Sequence, residues 1–135
     1  EPFTLPQVAA KTLIIEVFSM YCPHCQADAP EVNKLYRHIQ ENPSLRKNVK
    51  LIGVGAGNTT FEVNLFKEKF KVPFPVFSDE DFAVQKACSR KLRTPLFVIV
   101  KPEAKKKQLT VLHVHVGKIN DAEAFLKKIT HLKKQ

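Results

Sequence analysis

Tryptophan is absent from this chain of 135 residues, and tyrosine occurs only twice. No aromatic-rich signature accompanies its lysines, so the stacking platforms on which single-stranded nucleic acid is held are poorly supplied, and no nucleic-acid partner is expected. No apolar run approaches the roughly 20 residues that span a bilayer. The opening residues Glu1-Pro2-Phe3 lack a charged segment followed by an apolar one, as in a trimmed domain; a signal or membrane anchor upstream of the given residues stays open. Cysteine is scarce. Three residues, two of them paired as Cys22-x-x-Cys25 and the third, Cys88, far away, exclude a scaffold held by several disulfides. A zinc site needs four ligands, and no second Cys-x-x-Cys supplies them. His113 and His115 share one face of a strand and read as solvent-facing or packing residues, so no metal is expected. No repeat, linker or low-complexity segment divides the chain. One domain over residues 1–135 is expected, as a monomer.

What is present is an ordinary globular balance, 44% hydrophobic and 26% charged, with a net charge of +9. The excess lysine is concentrated at Lys105-Lys106-Lys107, Lys127-Lys128 and Lys133-Lys134. Such runs can attract anionic lipid or an acidic protein, but they also solubilise loops and helix faces, and the second reading is favoured.

The order of elements follows from periodicity. Lys11 to Phe18 (KTLIIEVF) is apolar and β-branched, as in a buried strand, which makes the lone acid Glu16 conspicuous. From Cys22, the residues Cys25, Ala29, Val32, Leu35, Tyr36 and Ile39 recur at helical spacing up to Glu41-Asn42-Pro43, with Pro30 inside the helix. Val49 to Gly55 reads as a second buried strand. Thr59-Thr60-Phe61-Glu62 is a capping box that starts a helix to about Phe70. Val72 to Phe77 is extended by its prolines, and Ser78 to Asp81 caps a short helix to about Arg90 that contains Cys88. Leu96 to Val100 and Leu109 to Val116 form a hairpin, and Asn120 to Glu123 caps a last helix with Phe125, Leu126, Ile129 and Leu132 inward. Early alternation and a late hairpin imply an α/β chain: a mixed sheet with helices on both faces.

Cys22-Pro23-His24-Cys25 at a strand-to-helix junction is the strongest chemical signal. Free amides and the dipole at a helix N-terminus stabilise a thiolate, so Cys22 is expected to have a lowered pKa and to act as nucleophile, with Cys25 one turn in as the resolving thiol. Attack on a substrate disulfide gives a mixed disulfide, Cys25 displaces the product, and the reverse steps donate a disulfide. Pro23 suits the first helical turn. His24, protonated or donating a hydrogen bond, would stabilise the thiolate and so the reduced form, making the disulfide a better oxidant. Glu16, desolvated in an apolar strand, is expected to titrate upward and to serve as a base near neutral pH; the alternative is a strand-end acid that reaches solvent. Gly53 to Asn58 fails the spacing of a dinucleotide loop and reads as a flexible strand exit. Asn58-Thr59-Thr60 is formally a glycosylation sequon, to which no modification is assigned. Cys88 reads as a buried, inert thiol.

These features resemble the thioredoxin superfamily, and within it the TlpA-like extracytoplasmic thioredoxins related to peroxiredoxin-type domains. The resemblance covers nearly the whole chain. Phe3-Thr4-Leu5-Pro6 is similar to the family's opening segment, Leu13 to Cys25 to the strand entering the active site, and Pro30 to the proline eight residues after the first cysteine. Pro95, preceded by Thr94, falls on the family's cis-proline loop. Thr59 to Phe77 resembles the TlpA-like insertion. The resemblance implies a thioredoxin fold and a redox-active Cys22-Cys25 disulfide in place of any bound cofactor. It implies Glu16 as proton relay for Cys25, and Pro23, Thr94 and Pro95 as substrate contacts. The implied partners are protein thiols or disulfides and a recycling redox protein, in the periplasm or another extracytoplasmic compartment.

The Pro-His dipeptide resembles the oxidising DsbA-type enzymes, whereas reducing TlpA-like proteins usually carry other dipeptides. The reading therefore leans towards oxidase or isomerase, with a reductant of the cytochrome c maturation type as alternative. A peroxiredoxin is the nearest enzymatic rival, yet Ser19 stands where that family has a threonine three residues before its cysteine. From another class, a protein-binding or chaperone module with a merely structural disulfide is the rival.

Overall fold

The computed structural model describes residues 10–87 and 93–132. Phe3 to Pro6 and Cys88 lie outside them. Five strands form one sheet in the order β3-β2-β1-β4-β5. β1 (Thr12–Phe18) lies at its centre, parallel to β2 (Val49–Ala56) and antiparallel to β4 (Leu96–Glu103). β3 (Val76–Asp79) extends the parallel half, and β5 (Gln108–Val116) closes the hairpin with β4. The mixed sheet is the one the order of elements predicts.

The central place of β1 explains its unbroken apolar run, since a strand covered on both faces needs no polar alternation. All seven of its residues are buried. Leu13, Ile15 and Val17 point to one side, with Ile52, Val54, Leu96 and Val98. Ile14 and Phe18 point to the other, into a larger core with Cys25, Ala29, Val32, Leu35 and Ile39 of α1 (Pro23–Glu41). Strand periodicity puts Glu16 on that second face, beneath α1. Each fully buried leucine or isoleucine there contributes about 1.5–3 kcal/mol relative to exposure. The same layer takes Val63 and Phe66 of α3 (Thr60–Lys69) and Phe125 and Ile129 of α5 (Ala122–Leu132). On the opposite face, Val84 of α4 (Ala83–Ala87) packs on the smaller core.

Three local readings are corrected. Asn42-Pro43, read as a stop, also starts a further helix, α2 (Pro43–Asn48), because Asn42 Oδ1 accepts the amides of Ser44 and Leu45 while Pro43 occupies a first-turn position that needs no donor. The extended segment continues into β3, pairing Val76 to Asp79 with Gly53 to Ala56. Gly53 and Gly55 lie in β2, as the reading of Val49 to Gly55 as a strand has them, and are no flexible exit: a Cβ would come within 2.9 Å of Val76 at Gly53 and 2.7 Å of Val63 at Gly55. Only at Gly57, φ +71°, does the chain turn. His115 is a packing residue between Phe97 and Phe125, at ring distances of 6.1 and 5.3 Å. The exposed lysines 105–107 surround the tip of the β4–β5 hairpin.

Candidate functional site

β1 ends at Phe18, and α1 begins at Pro23 after a loop of four residues. The loop between them is tight: the Cys22 amide donates to Ser19 O at 3.1 Å and the Tyr21 amide to Ser19 Oγ at 3.2 Å. Cys22 is the N-cap of α1, with extended backbone (φ −86°, ψ 114°). A cap side chain normally offers oxygen to the first free amides of a helix. Here sulfur takes that place, and Cys22 Sγ accepts the Cys25 N–H at 3.1 Å. Pro23 follows in the first turn, where its missing amide costs nothing. Cys22 is half-buried and Cys25 fully buried, both as free thiols. Burial pushes the Cys25 thiol far up, and its proximity to Cys22 pushes it in the same direction. The two sulfurs are thus chemically unequal: one sits at the surface with an amide aimed at it, the other beneath it, held neutral.

The Cys22 thiol donates to Thr94 O at 3.4 Å, across 72 positions of sequence. Pro95, joined to Thr94 by a cis peptide bond, is buried, and its carbonyl accepts the Gly117 amide at 2.8 Å. The hairpin therefore holds Thr94 and Pro95 against Cys22. His24 is exposed, and no hydrogen bond joins it to Cys22.

Glu16 is 2% exposed, which removes the alternative of a solvent-reaching strand end. Desolvation first, and the charge of Asp28 second, push its carboxyl up to about 8. Asp28, one turn beyond Cys25 on α1 and 3% exposed, is the site residue that the sequence reading missed. Burial raises its carboxyl too, opposed by the amides of Ile119 and Asn120, which donate to it at 3.0 and 3.5 Å. An aspartate on the inward face of a helix, in line with Cys25, Ala29 and Val32, was the signal available.

The structure thus brings Cys22, Cys25, Pro23, Thr94 and Pro95 to one end of the sheet and places Glu16 in the layer beneath. Chemically, the arrangement provides a half-buried sulfur that accepts a helix-terminal amide, a buried second sulfur one helical turn away and a carboxyl that holds a proton near neutral pH.

The sequence pattern of the Redoxin family matches residues 1–126. A curated relative, the thiol-disulfide oxidoreductase ResA of Halalkalibacterium halodurans, is 26% identical over 84 residues, which are 62% of this chain and 45% of that protein. The matched stretch thus spans less than half the length of that relative. Among solved structures, a thiol-disulfide isomerase from Corynebacterium glutamicum superposes with a TM-score of 0.68 at 23% identity, covering 94% of this chain and 84% of the other. StoA from Bacillus subtilis gives 0.69 at 18% identity, covering 90% and 84%. These likenesses establish the thioredoxin fold.

Proposed function

The chain belongs to the Redoxin family, and from that premise we propose that it exchanges disulfides with other proteins through Cys22 and Cys25. The observation that carries the reading is the Cys25 amide aimed at Cys22 Sγ, with Cys25 itself buried below. A thiolate at Cys22 is stabilised by that donor and by the helix dipole, and stays open to a partner.

In the direction of disulfide donation, a substrate thiolate attacks Cys22 Sγ of the oxidised pair. The Cys22–Cys25 bond breaks, Cys25 leaves as thiolate, and a mixed disulfide remains. A buried thiolate is costly, and Glu16, protonated near neutral pH, is the proton donor for it. A second substrate thiolate then attacks the substrate sulfur of the mixed disulfide, releasing Cys22 as thiolate. The substrate gains one disulfide and the pair becomes a dithiol; the reverse steps reduce a substrate.

The Pro23-His24 dipeptide, with a cation beside the capped thiolate when His24 is protonated, favours the reduced form and so donation or isomerisation over reduction. Thr94 and Pro95 lie where an extended substrate segment would pair, and a redox partner recycles the dithiol. The resemblance to the extracytoplasmic TlpA-like thioredoxins supports a place of action outside the cytoplasm, such as the periplasm.

Oxidative refolding of a reduced, disulfide-containing protein tests this directly. The oxidised chain should form disulfides stoichiometrically, and Cys22→Ser should abolish the transfer. Peptide binding that survives Cys22→Ser without any mixed disulfide in the native protein would transfer the case to a binding module. Consumption of hydrogen peroxide with a dithiol donor would transfer it to a peroxidase.

A further inference from the structure

We propose that Asn58 is a positioning residue for Cys22: from the turn after β2, its buried side chain fixes the loop that presents the sulfur. Asn58 is 2% exposed, and its Oδ1 accepts the Met20 N–H at 2.8 Å across 38 positions of sequence.

The hydrogen bonds of the Ser19–Cys22 loop can be counted group by group. Tyr21 and Cys22 amides are satisfied within the loop by Ser19. Met20 O is taken by Gln26 Nε2 at 2.8 Å, from the first turns of α1. The Met20 amide, in contrast, is held from a distant element, and that element is itself anchored to β2. Asn58 N donates to Gly55 O at 3.1 Å, and the side chain lies over Gly55, where a Cβ would approach Oδ1 to 2.9 Å. A glycine in the strand thus makes the room for the acceptor. Next to it, Glu62 completes the capping box with Thr59 through one carboxylate oxygen and accepts the Tyr21 hydroxyl with the other. The loop is tied to the sheet covalently through β1 and, through Asn58, to β2.

The consequence is geometric. Cys22 Sγ must lie at once 3.1 Å from the Cys25 amide and 3.4 Å from Thr94 O. Charge-assisted hydrogen bonds weaken steeply with misalignment, so a loop released at Met20 loses thiolate stabilisation at Cys22 while the fold stays intact. Burial also disposes of the sequon: the Asn58 amide that would carry a glycan is enclosed in the folded chain.

This rests on the reading of Cys22 as the attacking thiol, and its test needs no protein substrate. In Asn58→Ala, alkylation of Cys22 by iodoacetamide at pH 7 should slow about tenfold and its pH profile should move upward, while Asn58→Asp, which keeps the acceptor, should recover most of the rate. The glutathione equilibrium of Asn58→Ala should shift about tenfold towards the disulfide form, because the reduced state loses its stabilisation. Alkylation and equilibrium constants equal to those of the parent in a folded Asn58→Ala would overturn the proposal. An unreactive Cys22 in the parent would instead overturn the functional reading itself. Should Asn58→Ala not fold, amide exchange on the parent decides: the Met20 N–H should be protected as strongly as the amides of β1, and rapid exchange there would refute the latch.

Discussion

Glu16 of β1 and Asp28 of α1 are both buried carboxyls close enough for charge coupling, yet among the described residues only Asp28 accepts hydrogen bonds. Two amides and the charge of Lys118 partly offset the desolvation of Asp28. Nothing comparable supports a charge on Glu16, so between the two it is Glu16 that keeps a proton.

This division makes stability depend on pH in a definite direction. Glu16 is raised from 4.5 to about 8 by folding. Below about 4.5 both folded and unfolded chains hold the proton and the group has no effect. As pH rises from there towards 8, the unfolded chain releases a proton that the folded chain retains, so folding stability falls, and it levels off above 8. Asp28, also raised, acts with the same sign. Glu16→Gln should flatten this decline and gain on the parent by an amount on the order of a few kcal/mol by pH 8. Denaturant unfolding at a series of pH values is the check, and parallel curves for parent and variant would contradict the buried-acid assignment.

Asp28 also has a structural duty. Its carboxylate takes the Ile119 amide, and Glu31 Oε2, one turn further along α1, takes the Ala122 amide at 2.8 Å, so one face of α1 receives the start of α5. Asp28→Ala leaves a buried amide unpaired and should cost about 1–3 kcal/mol, more than Glu31→Ala at its half-buried position. Asp28→Asn keeps an acceptor for Ile119 while removing the charge; it should lose less stability and should lower the Glu16 titration. Urea midpoints combined with a carboxyl titration separate the two effects.

What could be read from the sequence was local. The capping box at Thr59 and Glu62, the apolar run of β1 and the start of α1 at Cys22 depend on residues close to each other in sequence. Asn58 and Asp28 were not legible, because their meaning lies in partners 38 and 91 positions away. Gly53 and Gly55 supported two readings, strand and flexible exit, for a related reason: glycine signals freedom in a turn, but in β2 it answers side chains arriving from Val76, Val63 and Asn58. Glu16 could be recognised because a single acid in seven strand residues needs an explanation, while its coupling to Asp28 required the fold.

The inequality of the two sulfurs predicts unequal reactivity. In a Cys88→Ala background, one thiol of the reduced protein, Cys22, should react rapidly with iodoacetamide at pH 7. Cys25, fully buried and held neutral, should react at least about a hundredfold more slowly until the chain is denatured. Cys25→Ser should accumulate mixed disulfides on Cys22, since nothing remains to resolve them. Peptide mapping of the alkylated protein identifies the site, and comparable labelling of both thiols in the native state would contradict the asymmetry.

The direction of transfer is decided by the reduction potential of the pair. A thiolate at Cys22 that receives the Cys25 amide is favoured only in the reduced state, because in the disulfide Cys22 Sγ carries no charge for that donor to stabilise. His24, when protonated, adds to the same side of the balance from its exposed position in the first turn of α1. Both effects raise the potential, so equilibration in glutathione buffers should give a value nearer to about −120 mV than to the roughly −270 mV of a reducing thioredoxin, a difference of about 7 kcal/mol for two electrons. His24→Ala should lower the value, because it removes the only ionisable side chain between the two cysteines. A potential below about −250 mV, unmoved by His24→Ala, would make the chain a reductant fed with electrons by a partner, and the burial of Cys25 would then outweigh the capped thiolate in setting the balance.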